Sequence, residues 1–179
     1  MRFVILGAFQ QKLQNGVAVQ SIAPKLSEQW VIKMTFMINF TVYGEPQGKA
    51  RPRFRKVGNF VQTYTPQKTK SYEDEIKMFA RAAMGSSKPL ETPVDLYLYI
   101  RKGIPASYSK KRRNDCISGV EQVTTKPDID NVLKAFMDAM NGIVYLDDKQ
   151  IVTINCAKVY SEVSGVDVLV KEHGSIQTS

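Results

Sequence analysis

The stretch that most restricts the fold spans residues 130–140. Leu133, Phe136, Met137 and Met140 stand at i, i+3, i+4 and i+7, the spacing of one helix face. Asn141-Gly142 follows as a stop signal. A helix with one apolar stripe must bury it against a second layer, and the rest of the chain offers strands for that purpose. Ile38-Asn39-Phe40-Thr41-Val42-Tyr43 alternates with period two, as a half-buried strand does. Residues 93–101 place Val94, Leu96, Leu98 and Ile100 on one face of another.

Between these, Gly44-Glu45-Pro46-Gln47-Gly48 breaks the first strand. Residues 60–64 form a short strand returning from the Gly58-Asn59 turn. Thr65-Pro66 reads as a helix cap followed by proline at the first helical position. Tyr72, Ile76, Phe79, Ala80 and Ala83 then fall at helical spacing, and Gly85 ends that helix. A short helix near Lys110 is capped by Ser107 or Ser109. Residues 151–160 and 166–171 read as strands joined by Glu162-Val163-Ser164-Gly165, and their closeness predicts an antiparallel pair. Strict βαβ alternation is missing, so the fold class is α+β: one domain, with a mixed β-sheet packed by two main helices.

That domain is expected to span residues 37–173. Residues 1–36 are expected to be an N-terminal extension outside the core, because the strand pattern opens right after Met37 and both Met34 and Met37 are plausible starts. Their opening apolar run is short, is ended by Gln10-Gln11-Lys12, and lacks a cleavage site of the secretory kind. Residues 174–179 are expected to fray.

Lys plus Arg number 25 and Asp plus Glu 17, a net charge of +8. An excess of this size points to a polyanionic partner, nucleic acid before an anionic membrane surface. Residues 1–36 hold four of the basic residues and one acid, so the excess survives without them. No apolar run reaches the roughly 18 residues that span a membrane, and no membrane partner is expected. Cys116 and Cys156 stand alone and His173 is the one histidine, which excludes a zinc site of the usual spacing. Two isolated cysteines fit a reducing compartment, and a cytoplasmic location is expected.

The chemistry sits in Lys126-Pro127-Asp128-Ile129-Asp130-Asn131-Val132-Leu133-Lys134 and in Asp147-Asp148. If the backbone is extended through Ile129, Asp128 and Asp130 leave on one side and Ile129 points into the core. Lys134 lies one helical turn after Asp130. A helix and a short apolar run later, Asp147-Asp148 can return a third carboxylate to the same place. Three gathered carboxylates repel one another unless a hard cation compensates, and Mg²⁺ takes such oxygen ligands. A metal-activated water would also replace the general base that a chain with one histidine lacks. Lys134 can stabilise charge developing on a phosphate. Taken singly, each residue has a plainer reading: Asp130 as a helix cap, Asp130 with Lys134 as a surface pair, and Asp147-Asp148 as turn residues.

Taken together, Lys126 to Ala135, then Asp138-Ala139, Asn141-Gly142 and Asp147-Asp148-Lys149-Gln150-Ile151, closely resemble the signature of RusA-type resolvases. Pro46-Gln47-Gly48-Lys49-Ala50-Arg51-Pro52-Arg53 resembles the loop after the first strand in that family. The resemblance runs from about Met37 to about Val170. It implies a small homodimeric endonuclease, often prophage-encoded, that resolves four-way Holliday junctions in DNA recombination and repair. Mg²⁺ would be the cofactor, with Mn²⁺ an expected substitute. The implied metal ligands are Asp128, Asp130 and Asp148, and the implied catalytic lysine is Lys134. Asp147 stands beside Asp148 as an alternative or a helper.

Phosphate contact is expected from Lys49, Arg51, Arg53 and Arg55 and from Lys110, Lys111, Arg112 and Arg113, with Phe54 and Tyr108 available to stack on unpaired bases. Two paired cuts across a junction need two active sites, which a two-fold dimer provides. One rival is a non-catalytic basic DNA-binding protein with an acidic cation-binding loop. Another is a nuclease of the PD-(D/E)xK kind built on Glu75-Ile76-Lys77, a triplet that lies on a helical segment.

Overall fold

An apolar strand centred on Leu96 and Leu98 needs a partner along each edge, and the sheet supplies both. The computed structural model describes residues 37–51, 53–58 and 60–174, so the expectations for residues 1–36 and for the tail beyond Gly174 lie outside the described residues. In chain order the elements are β1 (Met37–Tyr43), β2 (Arg53–Val57), β3 (Phe60–Tyr64), α1 (Gln67–Met84), β4 (Val94–Gly103), α2 (Lys110–Ile117), α3 (Ile129–Met140), a 3₁₀ turn (Asp148–Gln150), β5 (Ile151–Ser161) and β6 (Gly165–Glu172). The class is α+β, as expected, with a four-stranded mixed sheet ordered β1-β6-β4-β5 and a separate two-stranded ribbon, β2-β3.

Register explains the core. Ile100 pairs with Val166, which pairs with Val42. Leu96 pairs with Val170, which pairs with Ile38. These rows of inward residues are buried, and they meet the buried stripes of α1 (Tyr72, Ile76, Ala80, Met84) and α3 (Val132, Ala135, Phe136, Ala139, Met140). Tyr72 meets Phe136 edge to face at 6.0 Å, a favoured aromatic geometry. Leu133 and Met137 are only partly buried against this core. The stripe read from the sequence is therefore right in existence but turned slightly toward Val132 and Ala139.

Two expectations are corrected and one is narrowed. First, β5 and β6 are not an antiparallel pair: β5 runs parallel to β4, while β6 runs antiparallel to β4 on its other edge. Skipping one strand requires a shift of about 10 Å, twice the strand spacing. The link from Ser161 to Gly165, at up to about 3.5 Å per residue, covers that. Second, α1 begins at Gln67, with Pro66 at the cap position and no side-chain cap bond, so Thr65 does not cap it. The amides of Thr69 and Lys70 donate to the Pro66 carbonyl instead. Third, of the two serines offered as caps for α2, Ser109 is the one used.

Candidate active site

Helix α3 begins one residue earlier than the sequence indicates, and this changes how its acids are presented. Asp128 takes the extended cap conformation (φ −74°, ψ 145°) and Ile129 is already helical. The extended passage through Ile129 is therefore not found, and Ile129 is 39% exposed rather than a core residue. Asp128 and Asp130 share the first turn of a helix, not one side of a strand. Asp128 occupies the cap position without bonding its own helix. Its side chain has no hydrogen bond or ion pair among the described residues. An acid at a helix start that leaves the free amides unused is available to something outside the chain.

The turn before Asp128 is held from beneath. Lys158, on the inward face of β5 beside Ile100, donates to the carbonyls of Thr125 and Pro127, both at 2.9 Å. On the other side, the Lys49 amide donates to the Asn131 carbonyl at 2.8 Å. Gly48 lies so close that a Cβ there would sit 2.8 Å from the Asn131 Cβ, which is why this loop position requires glycine.

Lys134 is exposed on α3. It forms no ion pair with Asp130 among the described residues, so the plain reading of a surface i,i+4 pair finds no support in the geometry. Asp130 accepts a long bond, 3.4 Å, from the Asn131 side chain.

Asp147 and Asp148 have different surroundings. Asp147 caps the 3₁₀ turn: its carboxylate accepts from the Lys149 amide at 3.0 Å, and its own amide donates to the Gln150 side chain at 2.9 Å. The Lys149 amide, chiefly, holds the Asp147 carboxyl below its ordinary range. Asp148 is half-buried and close enough to Tyr145 for its charge to act there. Burial first, then Asp148 and Asp138, push the Tyr145 phenol above its ordinary value. Gln150 fastens the segment by donating to the Leu90 and Thr92 carbonyls, both at 2.9 Å, and Tyr145 donates to the Met137 carbonyl at 3.0 Å.

Among the described residues, no three Asp, Glu, His or Cys side chains stand close enough together to hold a metal ion as placed. The chemistry of the available donors still fits one. Asp128, Asp130 and Asp148 offer hard carboxylate oxygens, none of them paired with a lysine or arginine among the described residues, and such oxygens suit Mg²⁺.

A second charged cluster lies behind the site, and sequence reasoning missed it. The Lys49 ammonium is bonded to Asp138 of α3 and stands 3.0 Å from Glu73 Oε1 of α1. Glu73 Oε1 is shut off from solvent, and the Lys49 ammonium is the cation that faces it. Burial opposes the Lys49 charge, but the bonds to Asp138 and Glu73 outweigh it and raise its pKa above the ordinary lysine value. The only sequence signal for Glu73 was its place beside the buried Tyr72.

The basic residues divide into engaged and open ones. Lys49 is turned inward. Arg112 lies 3.6 Å from the centre of the Tyr108 ring and bonds the Glu121 carboxylate at 2.6–3.0 Å. Tyr108 packs on Tyr160 in a small cluster with Cys116 and Val123, so its expected role in stacking on bases is corrected. Arg113 is half-buried, whereas Arg51, Arg53, Arg55, Lys110 and Lys111 are exposed. Glu75 lies on α1 and belongs to no metal-type cluster among the described residues.

A basic α+β domain that presents both unpaired carboxylates and exposed arginines has features of a nucleic-acid hydrolase. Residues 43–171 match the family described as endodeoxyribonuclease RusA. The chain is also 36% identical over 138 residues to "Uncharacterized protein YqaN" of Bacillus subtilis (strain 168), an alignment covering 75% of this chain and 96% of that relative. The chain belongs to the RusA endodeoxyribonuclease family. No helix among the described residues is long and apolar enough to cross a membrane.

Proposed function

We propose that the protein is a Mg²⁺-dependent homodimeric resolvase that cuts four-way DNA junctions by paired phosphodiester hydrolysis. The observation that carries this reading is Asp128: a carboxylate at the start of α3 that does not cap its helix, two residues before Asp130, inside the family's matched segment. Asp128, Asp130 and Asp148 would hold the cation. When bound, Mg²⁺ supplies a water of lowered pKa and a Lewis acid for the phosphate. Lys134, exposed and unpaired one turn into α3, would meet the charge that develops on the phosphate oxygens. Lys158 and the Lys49 amide keep the acidic turn in place, so little reorganisation is left for the reaction itself. Exposed arginines of the β2-β3 ribbon and the lysines of α2 would carry the phosphate backbone. Two copies related by a two-fold axis would present two such sites to opposing strands.

Strand-labelled synthetic four-way junctions test the reading. The expected products are cuts at symmetric positions in two opposing strands, formed with Mg²⁺ and not with a chelator. Tight junction binding with no cutting at any Mg²⁺ concentration would instead establish the rival, a non-catalytic DNA-binding protein.

A further inference from the structure

The β2-β3 ribbon exposes what a folded chain ordinarily hides. Every side chain described on its two strands is exposed, including Phe54 at 71%, Phe60 at 80% and Val61 at 69%. A lone two-stranded ribbon is marginally stable in water at best, and exposed phenylalanines forgo burial energy. Register places Phe54 beside Thr63, and Lys56 beside Val61, on one face. On the other face stand Arg53 beside Tyr64, Arg55 beside Gln62, and Phe60 near the tip. Arg55 is braced by two bonds to Gln62, at 3.0 and 2.9 Å, and Gly58 makes the turn with φ +60°.

Charge selects the partner. Between Glu45 and Glu73 the chain has no acid, while Arg51, Arg53, Arg55 and Lys56 fall within that span. Such a surface attracts a polyanion and repels another copy of itself. An intact duplex satisfies the arginines but not the phenylalanines, because its bases are stacked and offer no open ring face. Base faces open where the stack is interrupted, and aromatic side chains bind them there. The base of the ribbon is tied to the acidic turn, since the Lys49 amide bonds the Asn131 carbonyl at 2.8 Å. The four chain steps from Lys49 to Arg53 span at most about 14 Å.

The geometry points to the β2-β3 ribbon as the element that recognises the branch, with Phe54 and Phe60 stacking on unstacked bases at the junction centre and thereby fixing the cut site relative to the crossover. This deepens the junction-cutting reading and rests on it. The test is equilibrium binding of the full chain, kept inactive by Asp130→Asn, to a four-way junction and to a linear duplex of the same sequence. The junction carries 2-aminopurine at its centre. Adding Phe54→Ala or Phe60→Ala should lower the junction-over-duplex affinity ratio by about tenfold or more and abolish the rise in 2-aminopurine fluorescence on binding. Melting temperature should not move, because both rings are exposed. Adding Arg53→Gln should instead weaken binding to both DNAs alike. A ratio unchanged by both Phe substitutions would overturn the stacking role of the ribbon while leaving junction recognition standing. A parent chain that binds junction and duplex equally would overturn both.

Discussion

Replacing Lys49 with methionine separates an internal brace from a DNA contact, the role the sequence alone gives this residue. Its ammonium sits between Glu73 and Asp138, with side-chain exposures of 26%, 15% and 31% respectively. Methionine keeps much of the aliphatic stem and removes the charge. Two carboxylates then face each other, and Glu73 Oε1, already closed to solvent, loses the cation 3.0 Å away. Breaking a fully buried pair costs about 3–5 kcal/mol, and losing an exposed one about 0.2–1 kcal/mol. This cluster is partly exposed, so the expected loss is about 2 kcal/mol, or roughly 6 °C in melting temperature for a domain of this size. Adding Glu73→Gln should return about half of that loss or more, because the orphaned charge goes with it. The Lys49 pKa is raised, so its stabilisation is complete at neutral pH and is lost only as pH rises past the ordinary lysine value. DNA binding supplies the contrast. A phosphate contact contributes about 0.9 to the slope of log affinity against log salt, and Lys49→Met should leave that slope unchanged. A melting temperature within about 1 °C of the parent, with a slope lower by about one, would refute the brace.

Asp130→Asn and Asp148→Asn should each abolish cleavage in Mg²⁺ while junction affinity holds or tightens; full cutting by either variant would remove that residue from the metal site. Lys134→Ala should lower the single-turnover rate by about 10²–10³ with melting and affinity nearly unchanged, and Arg at this position should restore only part of the rate. A loss of only a few-fold would take Lys134 off the catalytic list. A chain beginning at Met37, where β1 opens, should be soluble and should cut like the full chain; an inactive product would make residues 1–36 part of the working domain.

Helices α1 and α3 and strands β1 and β4 were legible because each buries one face, and burial writes a period into the sequence. Strand pairing was not legible in the same way. The residues between β5 and β6 suit a hairpin, and only the apolar need of β4 for two neighbours separates the strands. Ile129 misled because an apolar residue between two acids fits an extended strand, whereas Asp128 had already taken the cap. The acidic motif itself was readable, since its residues lie close along the chain. Glu73 was not, because what makes it matter is Lys49 on a loop and Asp138 on another helix. Basic residues look alike in sequence: nothing local distinguishes Arg112, spent on Glu121, from Arg53, which is exposed.

The most direct test compares the parent with Asp128→Asn on one four-way junction in Mg²⁺, with binding and single-turnover cleavage measured side by side. The Asp128 side chain makes no hydrogen bond or ion pair among the described residues, so the substitution should leave folding and junction binding intact. The predicted result is paired cutting by the parent and none by Asp128→Asn at equal occupancy. Cutting by Asp128→Asn at the parent rate would contradict the assignment of this carboxylate to the chemistry.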